Sequence, residues 1–188
     1  MKKIFVTLLA TAGLALVSYG QGTINFGNSA SSLVQWERVT PGTFASATSA
    51  DGAKATLWWA PAGTTDLNLF QIISGVAVNV GTPQAGRFQS TAAVTIPAGT
   101  GATGISAGGA AALIVRAYIG QAWDTATVRG TSSIINLAST GNPNPPAGTP
   151  TVIATLYSNI QMTAVPEPSS MALAGLGAAS LLIFRRRK

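Results

Sequence analysis

Ala111-Ala112-Leu113-Ile114-Val115-Arg116-Ala117-Tyr118-Ile119 is the stretch on which the fold reading turns. It holds no glycine or proline, and Gly108-Gly109 and Gly120 bound it. Side chains of an extended chain alternate between two faces. Leu113, Val115, Ala117 and Ile119 therefore share one face, and Ile114, Arg116 and Tyr118 share the other. The first set is wholly apolar and the second is mixed, which predicts a strand with one face on a core.

Similar runs lie on either side. Thr23 to Phe26, Ala53 to Trp59 after the Asp51-Gly52 turn pair, and Phe70 to Val80 with a break at Gly75 all read as strands. Ala92 to Ile96 stops at Pro97, and Ser132 to Leu137 and Val152 to Met162 complete the set. Asn142-Pro143-Asn144-Pro145-Pro146 reads as loop. About seven such strands predict an all-β fold, a single antiparallel β-sandwich over residues 21–164. The expected core is Leu57, Trp59, Ile72, Val76, Val78, Val94, Ile96, Leu113, Val115, Ile119, Ile134, Val152, Ile153 and Leu156.

The formal net charge of +6 is concentrated at the ends. Lys2 and Lys3 open the chain, and Arg185, Arg186, Arg187 and Lys188 close it. The other five cations, Arg38, Lys54, Arg87, Arg116 and Arg129, balance the acids Glu37, Asp51, Asp66, Asp124 and Glu167. A balanced body argues against nucleic acid as a partner. The chain has no cysteine and no histidine, so disulfides and the commonest general base and metal ligand are excluded.

Residues 1–20 read as a secretory signal peptide. A basic pair precedes the apolar run Ile4 to Val17, and Ser18-Tyr19-Gly20 places small residues where a signal peptidase needs them. Cleavage is expected between Gly20 and Gln21, after passage through the Sec translocon. Residues 165–188 have three parts. Val165-Pro166-Glu167-Pro168 is extended by its prolines, Met171 to Phe184 is apolar, and the basic cluster Arg185–Lys188 ends the chain. As a helix the apolar run spans roughly 21 Å at 1.5 Å per residue. That is short against a hydrocarbon core of about 30 Å, and the cations after it are expected to act as a membrane stop on the cytoplasmic side.

This tripartite tail resembles the PEP-CTERM sorting signal. The resemblance implies an exosortase that cuts near Pro166-Glu167-Pro168, a transient stay in the inner membrane through the C-terminal helix, and passage to the cell surface or beyond. It also implies an association with exopolysaccharide and biofilm matrix. The plain reading of the same residues is a single-pass anchor that is never cut. The body resembles uncharacterised secreted proteins of verrucomicrobia-like bacteria through Gln21-Gly22-Thr23-Ile24-Asn25-Phe26, Leu57-Trp58-Trp59-Ala60-Pro61 and Val115-Arg116-Ala117-Tyr118. That likeness implies a place and no activity.

Patterns that suggest chemistry meet ordinary explanations. Gly99-Thr100-Gly101-Ala102-Thr103-Gly104, with Asp124 twenty residues on, fits a dinucleotide fingerprint, but a strand follows where a helix is required. Lys54 lacks a nucleophile motif, and the scattered acids read as turn residues. No cofactor and no metal is expected, and the body is expected to be non-catalytic. Its role is read as structural or adhesive. The alternative is a carbohydrate-binding module that retains exopolysaccharide; an extracellular hydrolase is the weakest reading. Trp58 and Trp59 are adjacent, so one points outward, and these two are the candidates for a sugar contact.

Overall fold

The computed structural model describes residues 22–38, 41–97, 108–143, 147–165, 173 and 175–177. The signal peptide with its Gly20/Gln21 cut, the Gly99–Gly104 run, Pro166 to Pro168 and the Arg185–Lys188 cluster lie outside the described residues, as does most of Met171 to Phe184.

The described body is all-β. Its strands are β1 (Gly22–Asn25), β2 (Val34–Glu37), β3 (Phe44–Ser46), β4 (Ala53–Pro61), β5 (Gln71–Asn79) and β6 (Val94–Ile96). They continue with β7 (Ala111–Ile119), β8 (Val128–Thr131), β9 (Ile135–Leu137), β10 (Thr151–Val152) and β11 (Ile160–Ala164). Two 3-10 turns, Ser49–Asp51 and Leu67–Leu69, interrupt them. Three strands form one sheet in the order β10-β1-β6. The other sheet runs β3-β2-β11-β8-β7-β4-β5, with β9 also paired to β7. Most pairs are antiparallel, as expected, but β1–β10 and β2–β11 are parallel. Parallel neighbours need long connections, so strands far apart in sequence meet here.

One core fills the space shared by the two sheets. Ile24, Val94 and Ile96 enter it from the smaller sheet, and Val34, Leu57, Leu113, Val115 and Met162 from the larger. Phe26 and Phe88 meet at 5.0 Å within it. Polar clasps close its ends. Buried Asn28 donates to the carbonyls of Ser32 (2.8 Å) and Gly86 (2.7 Å) and accepts from the Phe88 amide at 2.8 Å. Tyr157 donates to the Gly27 carbonyl at 3.0 Å, and its burial pushes the phenol pKa far up, which keeps it a donor.

β7 has the bounds that the sequence predicts and β4 runs two residues past Trp59 to Pro61, but Ala112, Ile114 and Tyr118 bury the second face of β7 as well, where one buried face was expected. The two strands pair along their full length, from Ala53↔Ile119 to Pro61↔Ala111. Several expectations fail, each for a visible reason. Ile72 is exposed and Ile73 is buried instead, because the β4–β5 register shifts between Thr56 and Trp58, where Gly75 takes a φ of 76°. Extra residues on one strand change which side chains face in. Val76, Val78 and Ile119 pack only partly against the core.

Val152 to Met162 is not one strand. Ile153 is buried, but a turn closed by Leu156 N–H donating to the Ile153 carbonyl (3.0 Å) separates β10 from β11. Val152 and Leu156 are consequently exposed. Ser132 to Leu137 is a strand only from Ile135. Ahead of it the Ser132 hydroxyl accepts from the Val115 amide at 2.9 Å, holding β7 where β8 gives way to β9.

Candidate functional site

Two places on this scaffold carry chemistry: the point where the body hands over to the tail, and the outer face of the larger sheet.

The handover is built by β11. This strand lies inside the sheet, parallel to β2 through Ile160↔Val34, Gln161↔Gln35 and Met162↔Trp36. On its other side it runs antiparallel to β8 through Thr163↔Arg129 and Ala164↔Val128. Gly130 permits this approach, because a Cβ there would fall on the Gln161 carbonyl. The Val165 amide then donates to the Thr127 carbonyl at 2.6 Å. Val165 is thus fixed to the sheet, and the next residue is the first proline of the sorting motif.

The outer face is built by alternation. Residues of β4 and β7 that point away from the main core are Lys54, Thr56, Trp58 and Ala60, with Ala112, Ile114, Arg116 and Tyr118 opposite them. Arg129 of β8 stands across from Tyr118. Trp58, Ala60, Phe70, Ala112 and Ile114 form a small second core, flanked by Trp123 and Ile134. Over it lies the Arg116 guanidinium, 4.1 Å from the Trp58 ring and 4.9 Å from the Trp123 ring. Arg129 lies 5.4 Å from the same Trp123 ring, and Tyr118 meets Trp123 edge-on at 6.4 Å.

Each cation–ring contact is worth about 0.5–1 kcal/mol at exposed sites and more when water is excluded. Arg116 also donates to the Leu67 carbonyl at 2.9 Å, which ties the Leu67–Leu69 turn down over this face. Its Nε is buried without a partner. Partial burial lowers the Arg116 pKa; Asp124 opposes that shift and Arg129 adds to it. A guanidinium lowered in this way still carries its charge at neutral pH.

Of the two candidate sugar contacts, Trp59 lies in the main core at 5% exposure. Trp58 is the outward one, but it is only 9% exposed, lies under Arg116, and donates from Nε1 to the Thr56 hydroxyl at 3.1 Å. The internal charges that looked balanced in the sequence are unevenly placed. Lys54, Arg116 and Arg129 share the outer face. Arg38 is engaged elsewhere, with Asp51 at 2.6 Å. Trp123 stands out in the sequence as one of four tryptophans, but its meeting with Trp58, Arg116 and Arg129 could not be read there, because no motif joins them. The alternation of Ile114, Arg116 and Tyr118 was the one usable signal.

The acids do not converge. Among the described residues no three His, Cys, Asp or Glu side chains come close enough to hold a metal ion. Asp66 caps the Leu67–Leu69 turn by accepting from the Asn68 amide at 2.9 Å. Asp51 closes a capping box on Thr48. Burial works against its ionisation, but the Thr48 amide and hydroxyl and the Arg38 charge outweigh that and lower its pKa. Open clefts lie among the described residues. One of about 250 Å³ is lined by Asn25, Asn28, Arg87 and Gln89 among others, and one of about 310 Å³ by Val76, Asn79, Ser90 and Thr91 among others.

Residues 164–188 match the family model for the PEP-CTERM protein-sorting motif. No curated protein and no solved structure matches the chain. The chain carries this motif, and with it the mark of an exosortase substrate exported to the cell envelope or surface.

Proposed function

We propose that this exported PEP-CTERM protein is a non-catalytic structural or adhesive element of the cell surface, associated with exopolysaccharide. The observation that carries the reading is the seat of β11. The strand that leads into the sorting motif is an interior strand, and Val165 is hydrogen-bonded to the sheet at the motif's doorstep. Whatever the chain is joined to at the motif is therefore joined to the middle of a β-sheet, which suits a protein that is held at one end and displayed. Passage through the Sec translocon, removal of residues 1–20 by signal peptidase and a membrane stage held by Met171–Phe184 belong to the same reading. Among the described residues no helix is long and apolar enough to cross a membrane, and most of that run lies outside them.

The carbohydrate-binding alternative draws less support from Trp58 and Trp59, since neither offers an open ring face. The sorting reading is tested by intact-mass analysis of surface-recovered protein in a host with the matching exosortase. The mass should begin at Gln21 and lack Met171–Lys188. Replacing Pro166-Glu167-Pro168 by three alanines should leave the full tail on membrane-bound protein. Wild-type surface protein that retains its tail would make the chain a plain single-pass protein.

A further inference from the structure

The outer face of the larger sheet combines three features that the core does not need. The first is a set of exposed aliphatic side chains. Leu67 is 41% exposed, Leu69 62% and Ile72 46%. All three sit beside the Trp58 cluster: Ile72 pairs with Trp58 across β4 and β5, buried Phe70 anchors the turn between them, and Arg116 holds the Leu67 carbonyl. The second is the cation set of Lys54, Arg116 and Arg129 on the same face. The third is amphipathic Trp123, half-buried between Arg116 and Arg129.

The chain's own length keeps this body close to any membrane that holds the tail. Thr127, which accepts from Val165, lies in the loop that carries Trp123 and leads into β8 and Arg129. From Val165 the apolar run begins at Met171, and six residue steps reach at most about 20 Å even when fully extended. While Met171–Phe184 sits in a bilayer, the end of β11 cannot leave the headgroup region by more than that. We propose that in this membrane-held stage the outer face rests on the bilayer surface. Leu67, Leu69 and Ile72 would enter the interface, and Lys54, Arg116 and Arg129 would lie against anionic headgroups.

Aliphatic tips beside cations, with an indole at the rim, form the composition that binds such an interface. Asp66 and Asp124 oppose it; the exposed Asp66 carboxylate accepts from the Asn68 amide and side chain. A soluble acidic polysaccharide would use the same cations. It would gain little from three protruding aliphatic side chains, and both indoles are already engaged by guanidinium groups.

The inference rests on the tail holding the chain at a membrane, and one experiment separates the two claims. The full chain has no native cysteine, so Leu69→Cys, Ile72→Cys and Val152→Cys can each carry a single polarity-sensitive label. Val152 is an exposed control on the smaller sheet. Each labelled chain is mixed with phosphatidylcholine vesicles or with vesicles that also contain phosphatidylglycerol, then floated and titrated with iodide. The expected result is flotation of all three chains. Labels at 69 and 72 should shift to shorter wavelength and lose iodide quenching severalfold, more so on the anionic vesicles, while the label at 152 stays in water. Lys54→Gln with Arg129→Gln should remove the lipid-charge dependence.

Flotation with the labels at 69 and 72 still in water would leave the tail reading intact and overturn the docked face. Absence of flotation, with all labels in water, would overturn both. Equal protection on both vesicle types would overturn the role of the cations. Protection by soluble polygalacturonate and not by vesicles would overturn the proposal in favour of an acidic glycan.

Discussion

β4 and β7 have two buried faces, and the faces pack by different rules. The inner one presents Ala53, Ala55, Leu57 and Trp59 against Ala111, Leu113, Val115 and Ala117, all at 5% exposure or less and all apolar. The outer one buries Trp58, Ala60, Ala112 and Ile114, then finishes with Thr56, Arg116 and Tyr118. Inside, stability comes from area removed from water, about 25 cal/mol per Å². Outside, part of the lid is a guanidinium that is held by two indole faces and a carbonyl. The inner face specifies the fold. The outer face keeps charged edges turned to the surroundings, which is why it, and not the inner one, is available for contact.

The adjacent tryptophans, one on each face, should separate the two kinds of packing most widely. Trp59→Ala should cost about 4 kcal/mol, the range for emptying an aromatic core site, whereas Trp58→Ala should cost about 2 kcal/mol because Arg116 and Trp123 can settle into the space. Urea unfolding followed by far-ultraviolet circular dichroism reads both; equal losses would make the two faces one kind of core. Gly130→Ala tests the seat of β11. The added methyl meets backbone and not a movable side chain, so a loss of about 1–3 kcal/mol is expected, with faster amide exchange concentrated in β8 and β11.

Arg116→Met keeps the stem and removes the charge. It should cost about 2 kcal/mol through two lost cation–ring contacts and one hydrogen bond, with increased exchange at Leu67–Leu69, and an unchanged denaturation midpoint would show the guanidinium to be an onlooker. The smallest effect belongs to Asp51, away from both faces. Its pKa is depressed in the folded protein, so its contribution is present above the ordinary value of 3.8 and is lost as pH falls through the lower folded value. Asp51→Asn should flatten the acid limb of the stability profile by less than about 1 kcal/mol.

What the sequence disclosed follows the range of the interactions involved. β7 and β4 were legible because alternation is a local property and both strands are nine residues long. Ile73 in place of Ile72 was not legible, because the register shift is set by the partner strand and by the conformation of Gly75. β2, β3 and β8 were not legible, although Trp36 and Arg129 lie on them, because polar residues or a glycine interrupt their apolar pattern and β11, which pairs with both β2 and β8, lies far along the chain. The break between β10 and β11 depends on distant partners. The Ser32 hydroxyl donates to the Ala154 carbonyl at 2.6 Å, and the Asn159 side chain accepts from the Leu33 amide at 2.8 Å. Of the sites, the sorting motif is contiguous and could be read directly. The Trp58–Arg116–Trp123–Arg129 cluster draws on two strands, a loop and a third strand, so only the assembled sheet brings it together.

The interior position of β11 also has a mechanical meaning. A pull along the chain at Val165 enters a strand with neighbours on both sides, Val34, Gln35 and Trp36 on one and Val128 and Arg129 on the other. Force along the strand axis loads those ladders together, in shear, and the hydrogen bonds share it. In the proposed tail-held state, tension arriving at Val165 is thus spread over the β8 and β2 ladders before it reaches the rest of the body.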